Sequence, residues 1–354
     1  MVLYEIFMDS FVNKNGFKDL TEKVDYLKEL GIEMVWLTPF YESNSYHGYD
    51  VKNYKSINPR YGNFNDFNEF INKCHENNIK VIIDLVLAHT SYYYHWFQES
   101  IKGHNDFYYW SDVQPENKCS TPVSENGWRY CYENNKFYLA PWSHEMPSIN
   151  VNHPKVRDEI ESIVRFWLDK KVDGFRLDAA PYVDIMTNKP LDFWRWFEHL
   201  VHSIKPDAYM VAEAWDSYGV SKQYTDVLGH SFNFEMAGYI KDKATNPHHH
   251  IPMNGTENDV YFLSNHDMTR SMSSMNGDVN KMKYAFDLLF DMPGDIILYY
   301  GEEIGMKGVT HQHTCDKDVR RPMDWNEVFR QRNDPNSLFN YVKNKIKEYK
   351  NNRA

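Results

Sequence analysis

Three acidic side chains stand where an alternating strand–helix chain would expose them. Asp178 closes the run GFRLD, Glu213 closes VAE, and Asp267 follows FLSNH. Carboxyls held in unlike surroundings can divide labour, one ionised as a nucleophile and another protonated as an acid. Arg176 precedes Asp178 by two residues, and the period of a strand puts both side chains on one side. A buried guanidinium there is expected to lower the Asp178 pKa and keep it ionised. Taken singly, each acid reads as a helix cap or salt-bridge partner. Three at strand exits, each beside a basic or polar residue, read as a site. His89 ends the run KVIIDLVLA and His266 precedes Asp267. Either alone reads as a core histidine, but two at one mouth suit donation to sugar hydroxyls. Tyr49, among other aromatics, offers a face on which a pyranose could stack.

The elements that position these residues follow from periodicity. Strands are predicted near Val2–Phe7, Glu33–Thr38, Lys80–Ala88, Gly174–Asp178, Tyr209–Glu213, Ser231–Glu235, Val260–Ser264 and Ile296–Tyr300. Helices are predicted over Leu20–Leu30, Phe67–Asn77, Pro154–Lys170, Leu191–Ile204, Asn280–Phe290 and Ser337–Tyr349. Lys80–Ala88 is almost wholly apolar, as a buried parallel strand is. Eight strand–helix units in order imply an α/β fold, a closed (β/α)8 TIM barrel, with reactive groups at the C-terminal ends of its strands. Residues 90–150 break the rhythm. They are rich in Tyr, Trp, Pro, Asn and Ser, and only Lys136–Ala140 hints at pairing. A stretch this long is an inserted subdomain rather than a plain βα loop. The expected organisation is a barrel from 1–89 and 151–354 with a loop-rich subdomain from 90–150, between strand 3 and helix 3.

Composition narrows the partners. The 354 residues suit one elaborated barrel, and 42% hydrophobic content suits a large core. A net charge of −11 argues against nucleic acid and anionic membranes. No run is apolar enough to span a membrane, and the start MVLYEIFMDSF lacks a basic segment followed by a long apolar one, so the expected location is cytoplasmic. The four cysteines show no C-x-x-C spacing, which speaks against zinc and thioredoxin chemistry. Cys119 and Cys131 could pair after export but are expected as free thiols in a cytoplasm. His248–His250 reads as a solvated loop.

Several stretches together resemble glycoside hydrolase family 13, the α-amylase family, over nearly the whole chain. YEIFMDSF is similar to the family's first strand, GIEMVWLTPF to its second, and YHGYDVKNYKSINPRYG to the loop beyond. DLVLAH, GFRLDAA, EAW and FLSNHD resemble its four signature regions in order. MPSIN, YYGEEIGM and RRPMDW resemble further family segments. The resemblance is closest to the group intermediate between α-amylases and oligo-1,6-glucosidases. It implies a retaining double displacement. Asp178 would attack the anomeric carbon, Glu213 would serve as acid and then base, and Asp267 would hold two hydroxyls and stabilise the oxocarbenium-like state. Retaining carboxyl pairs sit about 5–5.5 Å apart. Repulsion from Asp178 and Asp267 is expected to raise the Glu213 pKa. The resemblance also implies substrate-binding roles for Tyr49, Arg176, His89 and His266, and for Asp50 with Arg320 as a grip on a non-reducing-end glucose, a role for which Arg321 competes.

The chain also departs from the family pattern. FVNKNGFKDL lacks an Asp-rich calcium loop, Ala88 stands where many relatives have a ligating Asn, and Ser148 replaces an Asp. No cofactor and no metal is therefore expected. The usual C-terminal β-sandwich is expected to be missing, with a homo-oligomer contact or a partner covering the barrel end. Pro181 and Tyr182 stand where α-amylases often carry Lys and His, which resembles trehalose synthases. The expected function is retaining hydrolysis of α-1,4-linked glucans or maltooligosaccharides. Alternatives are an α-glucosidase or α-glucosyl transferase and a non-catalytic amylase-like sugar-binding subunit.

Overall fold

The computed structural model describes residues 1–12, 15–250, 252, 255–310 and 316–353. Eight parallel strands close into a barrel: β1 Val2–Ile6, β2 Met34–Leu37, β3 Lys80–Leu85, β4 Gly174–Leu177, β5 Tyr209–Ala212, β6 His230–Phe232, β7 Asp259–Tyr261 and β8 Asp295–Tyr299. Each pairs with its sequence neighbour, and β8 closes on β1 with Val2 opposite Ile296.

Alternation along the strands builds two cores. Leu3, Met34, Trp36, Ile82, Val211, Val260 and Ile297 pack inside the barrel. Val2, Tyr4, Ile6, Val35, Ile83, Phe175 and Leu177 pack outward against the helices. Period two then assigns Glu5, Asp84 and Arg176 to the inner face, one layer above Leu3, Ile82 and Gly174, beside Trp36. A charged layer thus crowns an apolar barrel on its C-terminal side. Gly174 permits the close packing of β4 on β5, since a Cβ there would lie 1.8 Å from the Tyr209 carbonyl oxygen.

The helices follow their local signals. Asn63 and Asp66 form a capping box that starts Phe64–Glu76, a device worth about 1 kcal/mol. Pro154 occupies the first turn of Pro154–Asp169, where its missing N–H costs nothing. Leu20–Leu30 is two helices, Phe17–Glu22 and Val24–Leu30, because the chain tightens at Lys23, whose N–H bonds the Leu20 carbonyl. β3 stops at Leu85, three residues short of the expected Ala88. The sixth strand is His230–Phe232 and gives way at once to a helix, Phe234–Thr245, capped by Asn233.

Residues 90–150 hold the helix His95–Ile101 and a three-stranded antiparallel sheet with Lys136–Leu139 in the middle, between Trp110–Ser111 and Trp128–Cys131. His89 bridges to Ser148 at the base of this segment. Cys74, Cys119 and Cys131 are free thiols, while Cys315 lies outside the described residues. His248–His250 is exposed. Among the described residues, no helix is long and apolar enough to cross a membrane.

Candidate active site

The ends of β4 and β5 bring two carboxylates side by side. Leu177 pairs with Ala212, so the next residues, Asp178 and Glu213, leave adjacent strands at the same level. The Glu213 N–H donates to the Leu177 carbonyl at 3.0 Å, and the Ala180 N–H returns a bond to the Glu213 carbonyl at 3.0 Å. Between them Ala179 adopts a left-handed φ of +43°. Non-glycine residues in that region carry strain and persist where the surroundings hold them. Here the turn aims the Ala179 N–H at Glu213 Oε2, 2.9 Å away.

One guanidinium organises the floor. Arg176 is 1% exposed. Its Nη1 lies 2.8 Å from Asp84 Oδ1 and 2.7 Å from Asp178 Oδ1, and its Nη2 lies 2.9 Å from Glu213 Oε2. The planar fork of arginine can serve several carboxylates at once, which a lysine ammonium cannot do with the same geometry. Because Glu213 Oε2 faces the Arg176 guanidinium and accepts from the Ala179 N–H, Oε1 is the oxygen left to carry a proton. Asp84 accepts also from the Trp36 indole at 3.2 Å and the Tyr49 hydroxyl at 3.0 Å.

Burial governs the protonation of this floor. It raises Glu213, reinforced by the Asp178 and Asp267 charges and opposed by Arg176. The direction matches the sequence expectation, but burial, not like charge, is the largest cause. For Asp178 the expectation is corrected. Burial outweighs Arg176, whose charge is shared with two other carboxylates, and the carboxyl stands above its ordinary value. Burial likewise pushes Asp84 up to about 7, against Arg176.

Asp267 is held differently. Arg320 Nη2 lies 2.5 Å from its Oδ1 and His266 Nε2 3.2 Å from its Oδ2. Burial would raise this carboxyl, but His266 and Arg320 hold it well below the carboxylate range. His266 in turn places Nδ1 2.5 Å from Glu5 Oε1, at the top of β1. The Tyr49 ring stacks on the His266 ring at 5.6 Å and 11°, and its hydroxyl sits 2.9 Å from Nε2.

These groups surround a cavity of about 710 Å³, lined by Tyr49, His89, Asp178, Glu213, Asp267 and Arg320. The lining also includes the apolar residues Pro122, Val123, Trp142 and Met146 from 90–150 and Pro181, Tyr182 and Trp215 from the exits of β4 and β5. Trp142 meets Tyr182 edge-on at 5.0 Å, and Trp215, half-exposed, stacks on Phe234 at 4.7 Å.

Three of the nine expected site residues stand behind the wall. Arg176 and His266 are sealed, with the Arg176 Nη atoms and both His266 ring nitrogens facing carboxylates. Asp50, 1% exposed, takes the Asn44 and Ser45 amides and the Ser45 hydroxyl, so its carboxylate folds the loop that carries His47 and Tyr49. Its expected partner Arg320 bonds Asp267, the His266 carbonyl and the Tyr46 hydroxyl instead, while Arg321 pairs with Asp318. His89 also differs from expectation. Its Nε2 donates to the Tyr49 carbonyl at 3.1 Å, burial pushes its pKa down to about 4, and Nδ1 is left as an unpartnered acceptor.

Sequence reasoning missed Glu5, Asp84 and His47. The first two were within reach, because the alternation that pairs Arg176 with Asp178 also marks a charge on an inner face of β1 and β3. His47 lines the cavity with Nδ1 accepting the Tyr49 amide, an arrangement no spacing rule announces. The family's calcium does not fit at Ala88, which has no side-chain oxygen and whose carbonyl accepts the Ile149 amide. Among the described residues, no group of three or more His, Cys, Asp or Glu is disposed to hold a metal ion.

Comparison with known proteins identifies the family and the fold. The family model for the α-amylase catalytic domain matches residues 2–347. The chain is 35% identical to α-amylase 3 of Dictyoglomus thermophilum, over 97% of this chain and 75% of that protein. It is 32% identical to a 4-α-glucanotransferase of Thermotoga neapolitana, over 92% and 76%. The crystal structure of an α-amylase from H. orenii superposes with a TM-score of 0.88 at 30% identity, covering 99% of this chain and 82% of that one. A parallel eight-stranded barrel crowned by buried carboxylates, matched almost end to end by that model, makes this chain a member of the α-amylase family, glycoside hydrolase family 13, and a glycoside hydrolase by descent.

Proposed function

We propose that this protein cleaves α-1,4-linked glucans or maltooligosaccharides with retention of anomeric configuration, using Asp178 as nucleophile and Glu213 as acid and base. The observation that carries the reading is the Arg176 fork joining these two carboxylates at the cavity floor. The fork fixes Asp178 through Oδ1 and Glu213 through Oε2. In the first step an Asp178 oxygen bonds the anomeric carbon while the proton on Glu213 Oε1 passes to the departing glycosidic oxygen. In the second, Glu213 takes a proton from water, whose oxygen bonds the anomeric carbon and displaces Asp178. Asp267, held as a full negative charge, accepts from ring hydroxyls and stabilises the positive charge of the transition state. Tyr49 lines the pocket as a stacking face, and Arg320 fixes Asp267. The lack of a fitting calcium position at Ala88 supports a reaction without a resident metal.

The apolar part of the lining supports a second reading, in which a sugar hydroxyl replaces water in the second step. Trp142, Tyr182 and Trp215 offer flat faces to an acceptor sugar, and the relatives include 4-α-glucanotransferases and a trehalose synthase/amylase.

The test is product analysis on maltotriose, with anomers read by NMR before mutarotation. The α-anomer first, lost in Glu213→Gln, is the expected result. A β-anomer rules out retention, and binding without turnover returns a sugar-binding subunit. Longer oligosaccharides beside glucose identify transfer.

A further inference from the structure

We propose that Glu5 is a positioning residue that holds His266 as an imidazolium and thereby fixes Asp267 as a charged, oriented carboxylate. The inference rests on the reading of Asp267 as a stabiliser of the reaction, and it assigns a task to a strand residue that never reaches the cavity.

The argument is geometric. Glu5 is the lone acid of β1, 1% exposed and on the inner face above Leu3. Its Oε1 lies 2.5 Å from His266 Nδ1 and 3.3 Å from the His266 backbone nitrogen. On the far side of the ring, Nε2 faces Asp267 Oδ2 at 3.2 Å and the Tyr49 hydroxyl at 2.9 Å. A neutral imidazole has one N–H and one lone pair. Each ring nitrogen here faces a carboxylate oxygen, so a lone pair on either would meet a second lone pair. With the Tyr49 hydroxyl hydrogen turned to Asp84, a lone pair on Nε2 would meet the Tyr49 oxygen as well as the Asp267 carboxylate, so the doubly protonated ring is the form that satisfies both faces.

The other groups around the ring bear on the same balance. Phe7 and Trp36 close it off without charge. Tyr49 turns its hydroxyl hydrogen to Asp84 and can accept from Nε2. Arg320 donates to the His266 carbonyl and to Asp267. The Asp178 and Asp84 carboxyls lie within electrostatic reach. Burial disfavours an imidazolium, yet Asp267 and Glu5 together raise His266 to about 10. Removing Glu5 takes away one of those two partners and the only one that fixes the Nδ1 proton.

The experiment uses the whole chain. In the native protein the nitrogen-15 shifts of His266, assigned by their loss in His266→Gln, are expected to show both nitrogens protonated at pH 8. An unperturbed histidine there is almost wholly neutral. Glu5→Gln keeps an oxygen for Nδ1–H and removes the charge. It is expected to bring the His266 titration down by about one unit or more and, at pH values above that lowered titration, to lower kcat on maltotriose by about tenfold or more relative to the native protein, with KM within about threefold. A merely structural Glu5 would lower Tm and leave the His266 titration in place, and that result overturns the proposal. So does a neutral His266 in the native protein at pH 8, which decides the matter even if Glu5→Gln fails to fold. The nitrogen shifts are read without substrate, so this outcome is separable from any failure of the proposed reaction.

Discussion

Replacing Arg176 by glutamine removes the one cation that touches both Asp178 and Glu213. In the native protein it sits 2.7 Å from one carboxylate and 2.9 Å from the other, and it lowers both against burial. A hydrogen bond to a charged partner contributes about 1.5–3 kcal/mol. One pKa unit corresponds to about 1.4 kcal/mol. Losing one such contact apiece therefore raises each carboxyl by roughly 1–2 units. Asp178 works ionised, so its higher value carries the acidic limb of kcat/KM upward in pH. Glu213 works protonated, so its higher value carries the alkaline limb upward too. The bell slides as a whole toward alkaline pH, and its limbs report the coupled cluster. Stability follows the same sign. Losing the buried counter-charge costs about 3–5 kcal/mol, large against a total of about 5–15 kcal/mol. Carboxyls whose folded pKa lies above the unfolded value favour the fold most when protonated. The Tm deficit is then smallest in acid and widens as pH rises through the raised values. Initial rates on maltotriose and Tm, each measured across pH, check both parts, and Arg176→Lys, which keeps charge but loses the fork, should move the bell less. Limbs that stay put or move to acid, or a deficit that shrinks as pH rises, would refute the reasoning.

Other expectations are direct. Asp178→Asn should lower turnover by roughly a thousandfold or more, with maltotriose binding by calorimetry preserved; an unchanged rate removes the nucleophile. Trp215→Ala deletes an acceptor-side face worth about 1 kcal/mol, so the acceptor concentration giving half-maximal transfer should rise about fivefold while hydrolysis of the same donor is kept. A transfer-to-hydrolysis ratio that does not fall shows that the face is unused. EDTA should leave the rate unchanged, because Ala88 offers no side-chain oxygen to calcium; loss restored by calcium would show a metal site elsewhere.

The barrel was readable because each strand carries its own signal. Met34–Leu37 is a short apolar run, and Val2–Ile6 and Gly174–Leu177 are apolar but for one charge each, Glu5 and Arg176, so these strands need no partner to be seen. The sixth and seventh strands are three residues long and draw their stability from the neighbours they pair with, so their ends were blurred. The helices Tyr218–Leu228 and Trp325–Arg332 were not foreseen. The first buries mainly small and hydroxylated residues against the barrel, and the second buries Val328 and Gln331, so neither shows a broad apolar stripe in sequence. In the inserted segment Lys136–Leu139 stood out alone, since its partner strands are two and four residues of mixed polarity.

At the cavity, which carboxyls come together was legible in the sequence and their charge balance was not. Asp178, Glu213 and Asp267 are placed by where strands end, a property of the local sequence. Whether each holds a proton depends on which buried groups face each other across strands far apart in the chain. Five carboxylates, Glu5, Asp84, Asp178, Glu213 and Asp267, share three cations, Arg176, Arg320 and the His266 ring. Buried charge without a counter-ion is costly enough that the excess is relieved by retaining protons. Asp84 has four donor contacts on its two oxygens, and both oxygens of Asp267 face cations, so a proton on either would displace a donor. Glu213 keeps Oε1 unclaimed while Arg176 and Ala179 occupy Oε2. Glu213 Oε1 is therefore an oxygen on which a retained proton displaces no donor, beside the carboxylate whose Oδ1 is held by the same arginine, an arrangement that suits the division of labour proposed for this site.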